Sequence, residues 1–362
     1  MKLEMEEQSP YWKERAQVSN KKLVLFFRQL ATLVGSGVPI MDSLGLTVEH
    51  DDDSSLPLVA SRMQSQLAAG YTLSQASAEF PRVFAPLVVA FIRIGEENGS
   101  LVRQLEQMAD WMERDQKLKG KVVAALVYPL CALALTVVLT LFLFIAVLPG
   151  FLEMFEEMEI ELPLPTRILA TLTAGISEPL IWAGGVFVLT SAMFAVRSFL
   201  ETPSGRLSLY RLLLRTPVVG NLLRYAAVAR FSYAMAAMVR SGCNFLLALR
   251  LATGVSGSPA LHARMDSMLS SVSEGEPLAD FMHENSEIFP KVAANLVAVA
   301  EESARLPKIF NLLAGHFEEM VEHQVEIMAT LLEPILMSTV ALVVGFVVVS
   351  VFLPMYGFLD KL

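Results

Sequence analysis

Two pairs of adjacent glutamates are the side chains whose type could carry acid–base chemistry in this sequence. Glu96-Glu97 and Glu301-Glu302 occupy equivalent places in the two halves of the chain. Neighbouring carboxylates can share a proton or activate water, but adjacent residues on a helix point about 100° apart, which is unsuited to a shared site. We therefore interpret these four glutamates as a candidate partner-docking site. The alternative is a solvated turn with favourable charge near a helix N-terminus.

Other patterns that could carry chemistry are weak. His316, Glu319 and His323 could offer metal ligands from one helix face, but a solvated helix face is the more common reason for such spacing. Gly120-Lys121 is the sole Gly-Lys pair and lacks the glycine that a phosphate-binding loop needs upstream. The sequence contains no Gly-x-Ser-x-Gly motif. We expect no catalytic residue, no bound metal and no cofactor, and hence a protein that is not an enzyme.

The elements that position the glutamates belong to an unusually apolar chain. Of its 362 residues 54% are hydrophobic, and the mean hydropathy is +0.51, which is high for a soluble protein. Val122–Leu148 and Pro334–Leu359 contain no charged residue. Each is long enough to cross a hydrocarbon layer of about 30 Å. The shorter Leu180–Val196 is a further candidate, so we predict three transmembrane helices.

The basic residues indicate an orientation. Nearly all of them precede Val122 or lie between Arg197 and Glu326. Only Arg167 lies between the first two predicted spans, and only Lys361 follows the third. The excess of basic residues on the cytoplasmic side of membrane proteins therefore predicts a cytoplasmic N-terminus and a periplasmic C-terminus.

Charge and cysteine content exclude several classes of protein. The net charge of −9 argues against a nucleic-acid partner. The first residues carry glutamates and no apolar core, so we expect no cleaved signal peptide. The two cysteines, Cys131 and Cys243, are interpreted as small apolar residues and not as a disulfide or metal framework.

The chain contains an internal repeat. Shifted by 205 positions, it aligns with itself without a gap from Phe26 on Phe231 to Pro149 on Pro354. The matched positions are helix-ending residues, apolar residues and the two glutamate pairs, which indicates one structural unit used twice. Each copy ends in a long apolar run, so both anchors should cross the membrane in the same direction. The unmatched span between them returns the chain to the cytoplasm, and the two lobes need not touch.

The lobes show helical periodicity and helix-ending residues. Apolar residues recur every three to four positions and stop at glycines, and prolines stand where helices begin. Thr72 and Gln75 have the spacing of a capping box, and Pro277 takes the place of Thr72 in the second copy. The long helices that end each lobe are expected to continue into the spans. The residues assigned to helix punctuation are Gly37, Pro39, Gly70, Gly99, Pro129 and Pro334.

These observations predict an all-α integral membrane protein with two homologous cytoplasmic helical-bundle lobes and three transmembrane helices. The expected organisation, in chain order, is an N-terminal tail (1–20), lobe 1 (21–121), transmembrane helix 1 (122–148), an acidic periplasmic loop (149–178), transmembrane helix 2 (179–198), a linker (199–225), lobe 2 (226–330), transmembrane helix 3 (331–354) and a periplasmic tail (355–362).

The motifs together resemble a known family. Ser36-Gly37-Val38-Pro39, the run from Gly95 to Leu101, Tyr128-Pro129 and Glu333-Pro334 resemble the GspF/PilC family of type IV pilus and type II secretion machines. The resemblance implies a non-catalytic platform in the bacterial inner membrane that couples a cytoplasmic hexameric ATPase to insertion or removal of pilin or pseudopilin subunits. It also implies contacts with other inner-membrane assembly components, a homo-oligomer and the lipid bilayer.

The chain departs from the family pattern in two places. The corner around Glu301 and Glu302 lacks both glycines of the first corner, with Ala300 and Ala304 in their places, so its turn is expected to differ. The segment before the first repeat is short for the family, which puts contacts of a longer N-terminal region in doubt. A three-span transporter or channel-like protein with an internal repeat is the alternative reading of the whole chain.

Overall fold

The computed structural model describes residues 18–49, 55–157, 163–177 and 179–359. Within these ranges the ordered structure is helical and contains no strand. Residues 50–54, most of the N-terminal tail, part of the acidic loop and the C-terminal Lys361 lie outside the described residues. The all-α fold class is therefore confirmed for the described part of the chain.

The helices of the first repeat and of the segment after it follow each other with short connections. In chain order they are α1 (Asn20–Gly35), α2 (Ile40–Leu46), α3 (Leu56–Ala68), α4 (Leu73–Ala78), α5 (Pro86–Glu97), α6 (Leu101–Phe142), a π-helical turn (Leu143–Val147), α7 (Leu148–Glu157), α8 (Leu164–Ser177), α9 (Pro179–Glu201) and α10 (Pro203–Leu214).

The second repeat uses the same sequence of helices. They are α11 (Val219–Arg240), α12 (Phe245–Val255), α13 (Pro259–Ala263), α14 (Met265–Ser273), α15 (Leu278–Glu284), α16 (Lys291–Glu302) and α17 (Leu306–Leu359). The pair α13 and α14 stands where the first repeat has α3. Each repeat ends in its longest helix, α6 or α17, as the uninterrupted periodicity predicts.

Helix ends follow the predicted residues. Gly37 and Gly70 have φ of 87° and 90°, a left-handed conformation that costs glycine little and ends a helix. Pro39 is the N-cap of α2. The capping box of Thr72 and Gln75 is present at the start of α4, and Pro277 stands at the equivalent start of α15.

Two prolines do not end a helix. Pro129 lies within α6 and Pro334 within α17, so these residues lie inside continuous helices. This confirms that the last helix of each lobe continues into its apolar segment.

The chain divides into two compact units. The first unit contains residues 1–121 and 210–322, and thus both lobes of the repeat. Its largest buried side chains are aromatic, and Phe84 and its repeat equivalent Phe289 each pack against a ring on the first helix of their own lobe. The ring centres of Phe27 and Phe84 are 5.8 Å apart, and those of Phe231 and Phe289 are 5.6 Å apart. Burying each such ring contributes about 2 kcal/mol or more, so these clusters hold the helices of each lobe together.

The second unit contains residues 122–209 and 323–362. Its buried cluster joins the π-helical turn, α7, α8 and the end of α17 through Phe144, Leu148, Phe155, Leu169, Val347 and Val351. The hydroxyl of Thr166 donates to the carbonyl oxygen of Ser350 at 2.6 Å. Where the structure describes them, the segments 149–178 and 199–225, predicted as a loop and a linker, are largely helical. Their charged residues obscured the apolar spacing that Phe155 and Leu169 provide.

Two helical stretches of the described residues, Leu130–Phe155 and Leu306–Pro354, are long and apolar enough to cross a membrane. Large apolar side chains on both are exposed, among them Leu130 at 72% and Leu342 at 74%. Exposed apolar faces of this length suit contact with lipid. The helix α9, which contains the predicted transmembrane helix 2, is 23 residues long. Its role as a span stays a prediction.

Candidate functional site

The first glutamate of each pair turns inward and binds the start of another helix. Oε1 of Glu96 accepts hydrogen bonds from the backbone N–H of Leu73 at 2.5 Å and of Ser74 at 3.3 Å, and Oε2 accepts from Ser74 at 3.2 Å. Leu73 and Ser74 are the first residues of α4, whose N–H groups have no partner within the helix. The carboxylate therefore satisfies these donors and lies at the positive end of the α4 dipole.

The second lobe repeats this contact. Oε1 of Glu301 accepts from the N–H of Leu278 at 2.8 Å, and Oε2 accepts from the N–H of Ala279 at 3.1 Å. In both lobes the glutamate lies 23 residues after the first residue whose N–H it binds, Leu73 for Glu96 and Leu278 for Glu301. Hydrogen bonds to a charged group contribute about 1.5–3 kcal/mol each. The contact thus joins the end of α5 to α4, and the end of α16 to α15, in the same manner.

The second glutamate of each pair has a different environment. Glu97 and Glu302 are exposed, whereas Glu96 and Glu301 are half-buried. The structure therefore divides the four candidate docking residues into two that bind their own lobe and two that face outward. Docking by Glu97 and Glu302 stays a prediction. The internal contacts of Glu96 and Glu301 were missed in the sequence, although the equal spacing to the two helix starts was a signal for them.

The two acidic corners adopt the same turn, which corrects one expectation. Gly99 has φ of 62°, and Ala304 at the equivalent position has φ of 54°. In both turns a backbone N–H one residue later bonds back across the corner, from Ser100 to Gly95 at 2.9 Å and from Arg305 to Ala300 at 3.0 Å. The prediction of a different second turn was wrong, because the helix-ending hydrogen bonds hold an alanine in the left-handed conformation.

We expect Ala304→Gly to stabilise the protein, because a left-handed alanine costs about 1–2 kcal/mol that glycine does not pay. The reciprocal change, Gly99→Ala, should destabilise by about 1 kcal/mol. Thermal unfolding of the full chain in detergent measures both. The two substitutions should change the free energy of unfolding in opposite directions. A loss of stability in Ala304→Gly would show that the left-handed conformation of Ala304 is not strained.

A groove of about 600 Å³ lies in the first unit next to Glu97. Lobe 1 contributes Phe84, Ile94 and Glu97 to its lining, and lobe 2 contributes Cys243, Leu247 and Leu251. Burial raises the pKa of the Cys243 thiol above its usual value, which favours the neutral thiol. The groove is thus mainly apolar with one outward carboxylate at its edge.

Charged and polar groups join the lobes beside this groove. Arg230 forms an ion pair with Asp115, with Nε and Oδ1 2.9 Å apart and both side chains largely buried. The guanidinium of Arg114 lies 4.4 Å from the ring centre of Tyr233. The hydroxyl of Ser241 donates to Oε1 of Gln107 at 2.9 Å. These contacts fix lobe 1 against lobe 2 within the unit.

A cluster of charged side chains lies on the surface of lobe 1, between α1 and α6. Arg28 binds Asp110 at 2.7 Å and Glu113 at 2.8 Å, and Lys117 binds Glu113 at 2.8 Å. Hydrogen bonds from Lys117 and Arg28 lower the pKa of Glu113 to about 2. The carboxylate therefore stays charged at neutral pH and holds α6 to α1.

Within the described ranges, no group of three or more histidine, cysteine or acidic side chains converges as a metal site would require. The ring of His316 packs against Phe317 at 5.3 Å. What the geometry supplies is a pair of lobes in contact, with an outward acidic residue at each corner.

The family model described as type II secretion system, protein F, matches the chain twice, at residues 26–149 and 231–354. These ranges coincide with the internal repeat. The first match contains one acidic corner and all of α6, and the second contains the other corner and nearly all of α17.

Curated relatives are similar over nearly the whole chain. A protein of Thermus thermophilus named type IV pilus assembly protein PilC is 29% identical over 94% of this chain and 84% of its own length. A type II secretion system protein F of Aeromonas hydrophila is 30% identical over 94% of this chain and 87% of its own length. A PilC of Pseudomonas aeruginosa is 27% identical over 94% of this chain and 90% of its own length.

Proposed function

The chain belongs to the type II secretion system protein F family, and from this premise we propose that it is an inner-membrane platform of a type IV pilus or type II secretion machine. In this role it is a non-catalytic scaffold. It couples a cytoplasmic hexameric ATPase to the insertion or removal of pilin or pseudopilin subunits and contacts other inner-membrane assembly components. The names of the relatives, which cover both kinds of machine, support the proposal.

The observation that carries the proposal is the continuity of lobe and apolar helix in both repeats. α6 begins at Leu101, directly after one acidic corner, and α17 begins at Leu306, directly after the other. Both helices run on into the apolar stretches that could cross a membrane. An unbroken helix is stiff over this length, so a displacement imposed on a lobe can be passed along it. A scaffold that transmits movement needs this connection and needs no catalytic group.

The proposed orientation places both lobes in the cytoplasm and the segment around Glu157 in the periplasm. In a chain carrying Cys131→Ala and Cys243→Ala, we expect Glu157→Cys to react with a membrane-impermeant maleimide in intact spheroplasts. Ser273→Cys, which is exposed on α14, should react only after the membrane is opened. Labelling of residue 273 in intact spheroplasts would contradict three spans with cytoplasmic lobes.

The proposed docking surface consists of Glu97 and Glu302, the outward residues of the acidic corners. We expect Glu97→Lys with Glu302→Lys to abolish pilus assembly or secretion, because a docked partner would meet reversed charge. Abundance and membrane insertion should stay normal, because Glu97 and Glu302 are exposed, whereas Glu96 and Glu301 bind the helix starts within the lobes.

The same double variant tests whether the protein is coupled to its ATPase. The purified protein in detergent should raise the turnover of its cognate ATPase, and the double charge reversal should remove that stimulation. Glu49→Lys, an exposed charge reversal elsewhere in lobe 1, is the control. Full assembly and full stimulation in the double variant would show that the corners do not bind the ATPase.

A further inference from the structure

The contact between the two lobes uses different faces of the repeated unit. Lobe 1 contributes α6 through Gln107, Arg114 and Asp115. Lobe 2 contributes α11, which is the first helix of its repeat, through Arg230, Tyr233 and Ser241. The contact therefore joins the last helix of one repeat to the first helix of the other. It is heterologous, because the two sides present different surfaces.

Each lobe also carries the face that the other lobe uses. The equivalents of the lobe 1 residues lie on α17 of lobe 2, and we call them the tail face: Leu312, Glu319 and Met320. The equivalents of the lobe 2 residues lie on α1 of lobe 1, and we call them the head face: Leu25, Arg28 and Ser36.

Exposure shows that the head and tail faces do not meet within the chain. Leu25 is 57% exposed, whereas the side chain of its equivalent Arg230 is 19% exposed. Leu312 is 54% exposed, whereas its equivalent Gln107 is half-buried and bonded to Ser241. A two-fold arrangement of the lobes would bury both sets of faces equally. One head face and one tail face therefore stay open in each chain.

The groove beside the interlobe contact shows the same difference: residues that line it in one lobe have exposed equivalents in the other lobe. Ile94 of lobe 1 and Leu251 of lobe 2 line it. Their equivalents, Val299 on α16 and Leu46 on α2, are 56% and 52% exposed. The open surface of each lobe thus extends from the head or tail face onto a neighbouring helix and exposes apolar side chains on both helices.

The composition of the two open faces is complementary. In the interlobe contact Asp115 forms an ion pair with Arg230. The residue equivalent to Asp115 is Met320 and the one equivalent to Arg230 is Leu25, so the open faces carry an apolar pair at these positions. Arg114 meets Tyr233; the equivalents are Glu319 and Arg28, which have opposite charge. Arg28 is bound to Asp110 and Glu113 in its own lobe, yet 43% of its side chain stays exposed. Terminal repeats that end in solvent usually carry polar outer faces, whereas Leu25 and Leu312 leave more than half of their apolar surface exposed on these faces.

We propose that the tail face of one copy of this chain binds the head face of the next copy, in the arrangement that joins lobe 1 to lobe 2 within each chain. The contact is a continuation of the internal repeat across copies. Because it is heterologous, it adds copies in one direction and produces a ring when the rotation between lobes closes, or an open row when it does not. The inference rests on the repeat and its exposed faces and does not depend on the proposed function.

Cysteine cross-linking tests the arrangement in native membranes. The background carries Cys131→Ala and Cys243→Ala, and one tagged chain carries Ser36→Cys while a second, differently tagged chain carries Leu312→Cys. Both sites are exposed, so folding should be unaffected. We expect a short bismaleimide to join the two tags when the chains are co-expressed. Neither single variant expressed alone should form a covalent dimer. A chain carrying both cysteines should give dimers, trimers and larger products.

Matched pairs control the experiment. Gln107→Cys with Ser241→Cys in one chain occupies the equivalent positions of the interlobe contact and should cross-link within the chain. Ser36→Cys with Ser273→Cys on separate chains should not cross-link. The proposal is overturned if the Gln107 and Ser241 pair reacts while the co-expressed Ser36 and Leu312 variants do not. It is also overturned if either single variant alone forms a covalent dimer, since that requires an isologous contact.

Discussion

Glu96→Ala is expected to destabilise lobe 1 by about 3 kcal/mol, because two N–H groups at the start of α4 lose a charged acceptor. Glu301→Ala should have a similar effect on lobe 2, where Leu278 and Ala279 lose theirs. Glu96→Gln keeps an acceptor oxygen but removes the charge at the helix N-terminus, so its cost should be about half as large. Thermal unfolding of the full chain in detergent, together with its abundance in membranes, measures the effect.

The neighbouring residues provide the control. Glu97→Ala and Glu302→Ala remove exposed carboxylates and should change the free energy of unfolding by about 0.5 kcal/mol or less. An equal loss for Glu96→Ala and Glu97→Ala would show that the inward and outward roles are not separate. Glu96→Lys is a poor test of docking, because loss of assembly in that variant would combine a damaged lobe with any change at the partner surface.

Features that depend on local sequence were predictable. Gly37 and Gly70 end helices through a left-handed conformation that other residues rarely adopt, and Thr72 with Gln75 forms its capping box within four residues. The length of α6 and α17 followed from apolar periodicity, which continues past Pro129 and Pro334 although both were assigned to helix punctuation. Such signals are confined to neighbouring residues, so one sequence suffices to find them.

Features that depend on distant residues were not predictable in the same way. The carboxylate of Glu96 reaches a helix that begins 23 residues earlier, and no periodic pattern marks that contact. A Cβ at Gly95 would lie 2.8 Å from Cα of Leu101, whereas the equivalent Ala300 has one in a buried place. The close approach at Gly95 is a packing property of lobe 1 that the shared motif does not reveal. The interlobe contact likewise depends on which faces of the two repeats come together.

Asp115→Ala is expected to cost about 3–5 kcal/mol, because it leaves the largely buried guanidinium of Arg230 without its carboxylate. Arg230→Ala should cost less. Asp115 then keeps its ion pair with Lys119 at 2.5 Å, so its charge stays compensated. Thermal unfolding of the full chain should place the two single variants in this order. The reverse order would show that the Lys119 contact does not stabilise Asp115.

The double variant Asp115→Met with Arg230→Leu places in the interlobe contact the residue types that the open faces carry at Met320 and Leu25. A buried ion pair can often be replaced by apolar residues of similar volume with little loss of stability, because the desolvation cost of both charges is removed. We therefore expect the double variant to recover most of the stability lost in Asp115→Ala, with a coupling free energy between the two sites of about 2 kcal/mol. Recovery would show that a Met–Leu pair fits the repeated contact, as head-to-tail association of copies requires. Additive losses would mean that this contact needs its charges, and that Leu25 and Met320 could not form its counterpart.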